Sequence, residues 1–129
     1  MKANSPPEEW ATKLAGQVMD ADDHILLALV VERDGELLGK KASASLRDIP
    51  SEDEMRRRVA AFAVTYGAAE GATSWLGRAQ YLTVAYEDYK VLVLRLPSGP
   101  YEGTLIDVRI SRDVNAEVVY EKIISKTLG

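Results

Sequence analysis

Residues 51–76 read SEDEMRRRVAAFAVTYGAAEGATSWL, and a helix through this stretch is apolar on two opposite sides. At 3.6 residues per turn, Met55, Val59, Phe62, Tyr66, Ala69, Thr73 and Leu76 fall on one stripe, the spacing of a side that faces a core. The opposite side carries Ala60, Val64, Gly67, Ala68, Gly71 and Trp75, with Arg56, Arg58, Thr65, Glu70 and Ser74 confined mostly to the flanks. A helix apolar on opposite sides needs cover on both. The chain's own sheet can cover the first. The second is covered either by the remaining helices or by another subunit, and its small residues would let a partner helix approach closely. Trp75 is then either an interface anchor or a lid over the helix end. Ser51 and Glu54 form a capping box that starts the helix, and Gly77 ends it.

Upstream, Ser5-Pro6-Pro7-Glu8 combines a capping serine, a proline at the first helical position and an acid three residues on, which starts a helix with Trp10, Leu14 and Val18 facing inward. Asp20, Asp22 and Asp23 end it near Met19, because negative charge is unfavourable at a helix C-terminus. From His24 to Val31 the chain is nearly all apolar, which predicts a central strand buried on both faces. Asp34-Gly35 is a two-residue hairpin signal, both central positions tolerating positive φ. The returning strand, about Leu37 to Ala44, holds Gly39, Lys40 and Lys41, which suit an exposed edge.

Three strands follow the long helix. Tyr81 to Glu87 alternates, Val91 to Leu96 is apolar on both faces except at Arg95, and Thr104 to Ile110 alternates Ile106, Val108 and Ile110 against Leu105, Asp107 and Arg109. A last helix begins at Asp113 with Ala116, Val119 or Tyr120, Ile123 and Thr127 inward. The order is α-β-β-α-β-β-β-α. Two centrally buried strands need a layer on each face, so the long helix goes on one side of the sheet and the terminal helices on the other, an α+β fold in three layers.

At 129 residues and 47% hydrophobic, residues 1–129 form one domain with a core of its own. Lys and Arg number 16 against 20 Asp and Glu, a net charge of -4, which gives no general attraction to nucleic acid or anionic lipid. Arg56-Arg57-Arg58 follows Glu52, Asp53 and Glu54, so the local charges largely cancel. With no cysteine there is no disulfide, thiolate nucleophile or Cys-ligated zinc. No N-terminal leader pattern and no apolar run near the roughly 18 residues of a membrane span are found, so no membrane insertion and a cytoplasmic location are expected.

The hairpin from Ala28 to Gly39, ALVVERDGELLG, and the alanine-rich helix ending in Gly77 before Tyr81-Leu82-Thr83-Val84 resemble the Roadblock/dynein light chain family of the profilin-like fold, over almost the whole chain. The resemblance implies a five-stranded antiparallel sheet in the order 2-1-5-4-3. It also implies a homodimer in which the long helices pair antiparallel and the third strands join two sheets, with Ala60, Val64, Gly67, Ala68, Gly71, Trp75, Tyr81 and Thr83 at the interface. Family members look like adaptors and regulators of small GTPases and of motor or signalling complexes, and some prokaryotic members act on a partner GTPase without supplying active-site chemistry of their own.

Catalytic patterns are weak by comparison, and no catalytic residue, metal or cofactor is expected. His24, the sole histidine, starts a buried strand and has no nucleophile partner in the pattern. Asp20 to His24 fails the calcium-loop pattern, with Val31 at the twelfth position, and reads as a solvated acidic turn. Gly35 to Lys41 is one residue short of a phosphate loop and sits in a hairpin. Glu87 and Asp88 share a turn with no evident apolar pocket to raise a pKa. Tyr81, Tyr86, Tyr89 and Tyr101 lack the basic groove of a nucleic-acid platform. The reading is a noncatalytic homodimeric adaptor or regulator of a small GTPase or larger protein assembly. The alternative is a small-molecule sensor, which needs a cavity for which no clear polar lining is legible.

Overall fold

The computed structural model describes residues 6–127. Its elements are α1 (Glu8–Met19), β1 (Ile25–Val31), β2 (Leu37–Ala42), α2 (Glu52–Ala69), a 3-10 turn over Glu70–Ala72, the one-turn α3 (Thr73–Leu76), β3 (Tyr81–Ala85), β4 (Tyr89–Arg95), β5 (Leu105–Ser111) and α4 (Ala116–Thr127). The five strands form one antiparallel sheet in the order β2-β1-β5-β4-β3, as the resemblance implied.

Each face of the sheet is packed: β1 is apolar in both directions, and β5 beside it is buried along most of its length although one side carries Asp107 and Arg109. On one face, Leu14 and Val18 of α1 and Val119 and Ile123 of α4 close over Ala28, Val30, Ile106 and Val108. On the other, Met55, Val59, Ala63 and Tyr66 of α2 close over Leu27, Leu29, Val93 and Leu105. This is the three-layer arrangement expected from two-sided central strands. Gly39 lets α1 lie directly on β2: a Cβ there would sit 2.7 Å from the backbone at Ala11 and Thr12. Its role is close approach rather than edge protection, while Lys40 and Lys41 beside it remain exposed on the edge strand.

Several local expectations are corrected. The capping Ser5 lies outside the described residues, and α1 starts from Pro7, whose extended backbone precedes Glu8. Asp34 does not take positive φ; Gly35 alone does, at +95°, with its N–H bonded to the Glu32 carbonyl and Glu32 N–H bonded to Glu36. The turn is therefore a three-residue loop with a bulge, and the register slips between Val30 and Val31. β2 ends at Ala42 and β3 at Ala85, both short of the expected Ala44 and Glu87. Asn115 rather than Asp113 caps α4, its side-chain oxygen accepting from Glu117 N–H at 2.9 Å and Val118 N–H at 3.2 Å.

The long helix is not continuous. Ser51 caps it as expected, accepting from Glu54 N–H, although the Glu54 carboxylate turns to Arg58 at 2.6 Å instead of back to Ser51. The α-helix then stops at Ala69. Through the 3-10 turn Thr73 Oγ1 donates to the Glu70 carbonyl at 2.6 Å, and Glu70 pairs with Arg33 of the first hairpin. Tightening to three residues per turn shifts the phase of the pattern. The core stripe therefore runs Met55, Val59, Ala63, Tyr66 and ends there, leaving Ala69 and Thr73 exposed and Leu76 80% exposed. Gly77, at φ +81°, terminates the segment as expected.

The acidic turn after α1 is not simply solvated. Asp22 is buried, and its carboxylate accepts from His24 N–H at 2.7 Å and from Lys122 Nζ of α4 at 2.9 Å, with the His24 ring also at 2.7 Å. Burial alone pushes this carboxyl up, but those bonds from His24 and Lys122 hold it down at about 2. Asp22 thus ties the last helix to the first helix–strand turn.

Candidate functional site

The outward side of α2 is uncovered. Ala60, Val64, Gly67 and Gly71 follow one another at three- and four-residue spacing, and all four are exposed, as are Ala68 and Trp75. Val64 is 75% exposed and Trp75 88%, which answers the lid reading: Trp75 forms no cover over the described residues of its own chain. Large apolar side chains left this open are unusual on a protein surface. Gly67 and Gly71 have nothing within 4 Å of where a Cβ would sit, so this side is flat and open. Ala60 ends the row at the first hairpin, its Cα lying 3.0 Å from where a Cβ on Gly35 would be.

The sheet edges differ chemically. β2 presents Lys40 and Lys41 outward and has α1 against Gly39, whereas β3, Tyr-Leu-Thr-Val-Ala, carries no charge to discourage a further strand. Thr83 is exposed on this edge, with its hydroxyl donating to the Val91 carbonyl at 3.1 Å. Tyr81 does not join the α2 row. Its ring lies on the other layer, 4.6 Å from the ring of Tyr120 on α4. Only its backbone belongs to the free edge.

A second feature escaped the sequence pattern. Between the first turns of α2 and the β3–β4 turn lies an open trough of about 900 Å³, floored by Leu27, Leu29, Val91 and Asp107. Asp107 is 7% exposed. Burial pushes its carboxyl up to about 7, against the opposing pull of Arg58 and Arg109. Among the described residues, no hydrogen bond or ion pair within 4 Å holds it. Arg109 lies with its guanidinium 5.1 Å from the centre of the Tyr89 ring, and burial lowers its pKa. Glu87 and Asp88, read as an isolated turn, sit on the rim. The available signal was the alternation of Asp107 and Arg109 with apolar residues in a strand covered on both faces: a charge there must be paired, neutralised or open to a cavity.

Among the described residues, no three His, Asp or Glu side chains come together as a metal site, and no helix is long and apolar enough to cross a membrane.

No family model matches the chain, and no curated protein matches its sequence. Solved structures match its fold. The Roadblock/LC7 domain from Streptomyces avermitilis superposes with a TM-score of 0.67 at 15% identity, over 89% of this chain and 89% of that one. The gliding protein MglB from Thermus thermophilus gives 0.67 at 16% identity, over 95% of this chain and 92% of its own. An MglB solved in a tetrameric arrangement gives 0.69 at 16%, over 92% and 85%. The fold is that of Roadblock/LC7 and MglB proteins.

Proposed function

We propose that this chain is a noncatalytic homodimeric adaptor or regulator, acting on a small GTPase or within a larger signalling or motor-type assembly in the cytoplasm. The observation that supports it is the uncovered outward row of α2, ending in Trp75 at 88% exposure, in a chain with the Roadblock/LC7 fold. In the proposed dimer the α2 helices meet antiparallel across Ala60, Val64, Gly67, Ala68 and Gly71, with Trp75 as the anchor at each end. β3 adds its free edge, through Thr83 and the backbone of Tyr81, to the same strand of a second copy. A tryptophan at the margin of such a seam contributes more than its neighbours because aromatic anchors dominate interface energetics. The GTPase partner rests on the family resemblance, and the tetrameric arrangement reported for an MglB accords with self-association of this fold.

Gly71→Arg tests the seam. The position is open in the single chain, so the variant folds, but it sets a long cation between the paired helices. Multi-angle light scattering is expected to give twice the chain mass of 14.2 kDa for the native protein and the single mass for the variant, with unchanged circular dichroism. A native protein that stays monomeric at high concentration sinks the proposal. For the regulator role, the dimer is expected to bind a small GTPase and to show no hydrolysis of GTP alone.

A further inference from the structure

We propose that the trough beneath α2 is a binding site for a small organic cation, a protonated amine or guanidinium, whose charged head is received by Asp107. The body of such a ligand would lie on Phe62 and Val91, both partly buried hydrophobics at the trough. The site stands apart from the dimer proposal, because none of the seam residues lines the trough.

Three observations carry it. First, Asp107 is more than nine-tenths buried yet opens onto the trough, and nothing among the described residues donates a hydrogen bond to it. Its oxygens are not sealed off, since among the described residues no fully buried side-chain oxygen lacks a partner; they face the trough, open to whatever enters it. Here the missing donor has room to arrive from outside. Second, the charge facing the trough is in acidic excess: Asp48, Glu54, Glu87 and Asp88 join Asp107 against Arg58 and Arg109 alone. Arg58 is engaged by Glu54 at 2.6 Å, and the Arg109 guanidinium lies 5.1 Å from the centre of the Tyr89 ring, so each of the two cations already has a partner in the protein. Third, a bare metal ion finds no cluster of three suitable side chains among the described residues, while the leucines of the floor suit a carbon-bearing guest.

The acid at the floor must be ionised to pair with a cation. With the carboxyl at about 7, an amine that stays protonated binds about tenfold more weakly at pH 6 than at pH 8. The reverse dependence is expected for a guest that accepts a hydrogen bond from the protonated acid.

Calorimetric titration of the full chain with benzylamine and with agmatine, beside benzyl alcohol and benzoate, tests the assignment. At least one amine is expected to saturate one site per chain about tenfold or more tighter than benzyl alcohol, with benzoate weakest, reflecting a charge-assisted hydrogen bond. The amine preference is expected to vanish in Asp107→Asn, whose side chain has nearly the same shape, and near-ultraviolet circular dichroism checks that its packing is kept. Amines no tighter than the alcohol, a preference for benzoate, or undiminished amine binding in Asp107→Asn overturns the proposal. None of these outcomes depends on whether the chain dimerises.

Discussion

Asp107→Asn also makes a sharp prediction about stability in the ligand-free protein. The folded-state carboxyl lies at about 7 against an ordinary 3.8, and each pH unit of that gap is worth about 1.4 kcal/mol, so ionising the buried acid costs the fold about 4 kcal/mol in total. The folded chain binds the extra proton, so stability is greatest at low pH and declines as pH rises through the folded value. Between pH 5 and pH 8 the loss from this one group is about 2–3 kcal/mol. Asparagine cannot ionise and shows none of it. Urea unfolding of both proteins at pH 5, 6, 7 and 8 measures the difference, which is expected to move in favour of the variant by that amount across the series, most steeply between pH 5 and pH 6 and levelling off above pH 7. Asp22, whose carboxyl is held at about 2, titrates outside this window and does not blur the comparison. If the two proteins run parallel from pH 5 to pH 8, the carboxyl is paired or hydrated in solution and the inferred cation site loses its main support.

Asp22 acts in the opposite sense. Its carboxyl is lowered from 3.8 to about 2, so its contribution is present above about pH 4 and lost as pH falls through 2; Asp22→Asn is expected to cost about 2 kcal/mol at pH 7 in urea unfolding. A pair of glycine substitutions separates close packing from helix propensity. Gly39→Ala forces a Cβ to within 2.7 Å of the α1 backbone and is expected to destabilise by about 1–3 kcal/mol. Gly16→Ala, inside α1 with nothing within 4 Å, is expected to stabilise by about 0.5–1 kcal/mol in the same thermal or urea assay.

Much of this fold is legible because β1 is apolar in both directions, which forces two outer layers and leaves few places for three helices. The paired lysines of β2 and the tight turn at Gly35 then place the first hairpin at one edge. Positions where tertiary contacts override local pattern were not legible. The 3.6-residue rhythm continues through Thr73 and Leu76, but Glu70 is drawn to Arg33 on a hairpin 37 residues away, and the helix tightens there. Ala63 takes the core place between Val59 and Tyr66, while Phe62 is only half-buried. The uncovered row was readable through Ala60, Val64 and Gly67, which share an α-helical spacing, whereas Gly71 and Trp75 lie in and beyond the 3-10 turn and are exposed for that reason as well. Asp107 was not: alternation alone put it beside Arg109 as if outward, and only the position of α2 decides that this side of β5 is roofed at one end and open at the other.

The contrast between the two margins of the sheet governs how far self-association can go. A protein with two permissive margins can add copies without limit and risks fibres, whereas one with lysines along β2 and a bare β3 can grow in a single direction. In the proposed dimer the two copies meet β3 to β3, and each consumes the other's open edge. The resulting ten-stranded ribbon is bounded by lysine-bearing strands on both sides, a closed, self-limiting product of the isologous kind.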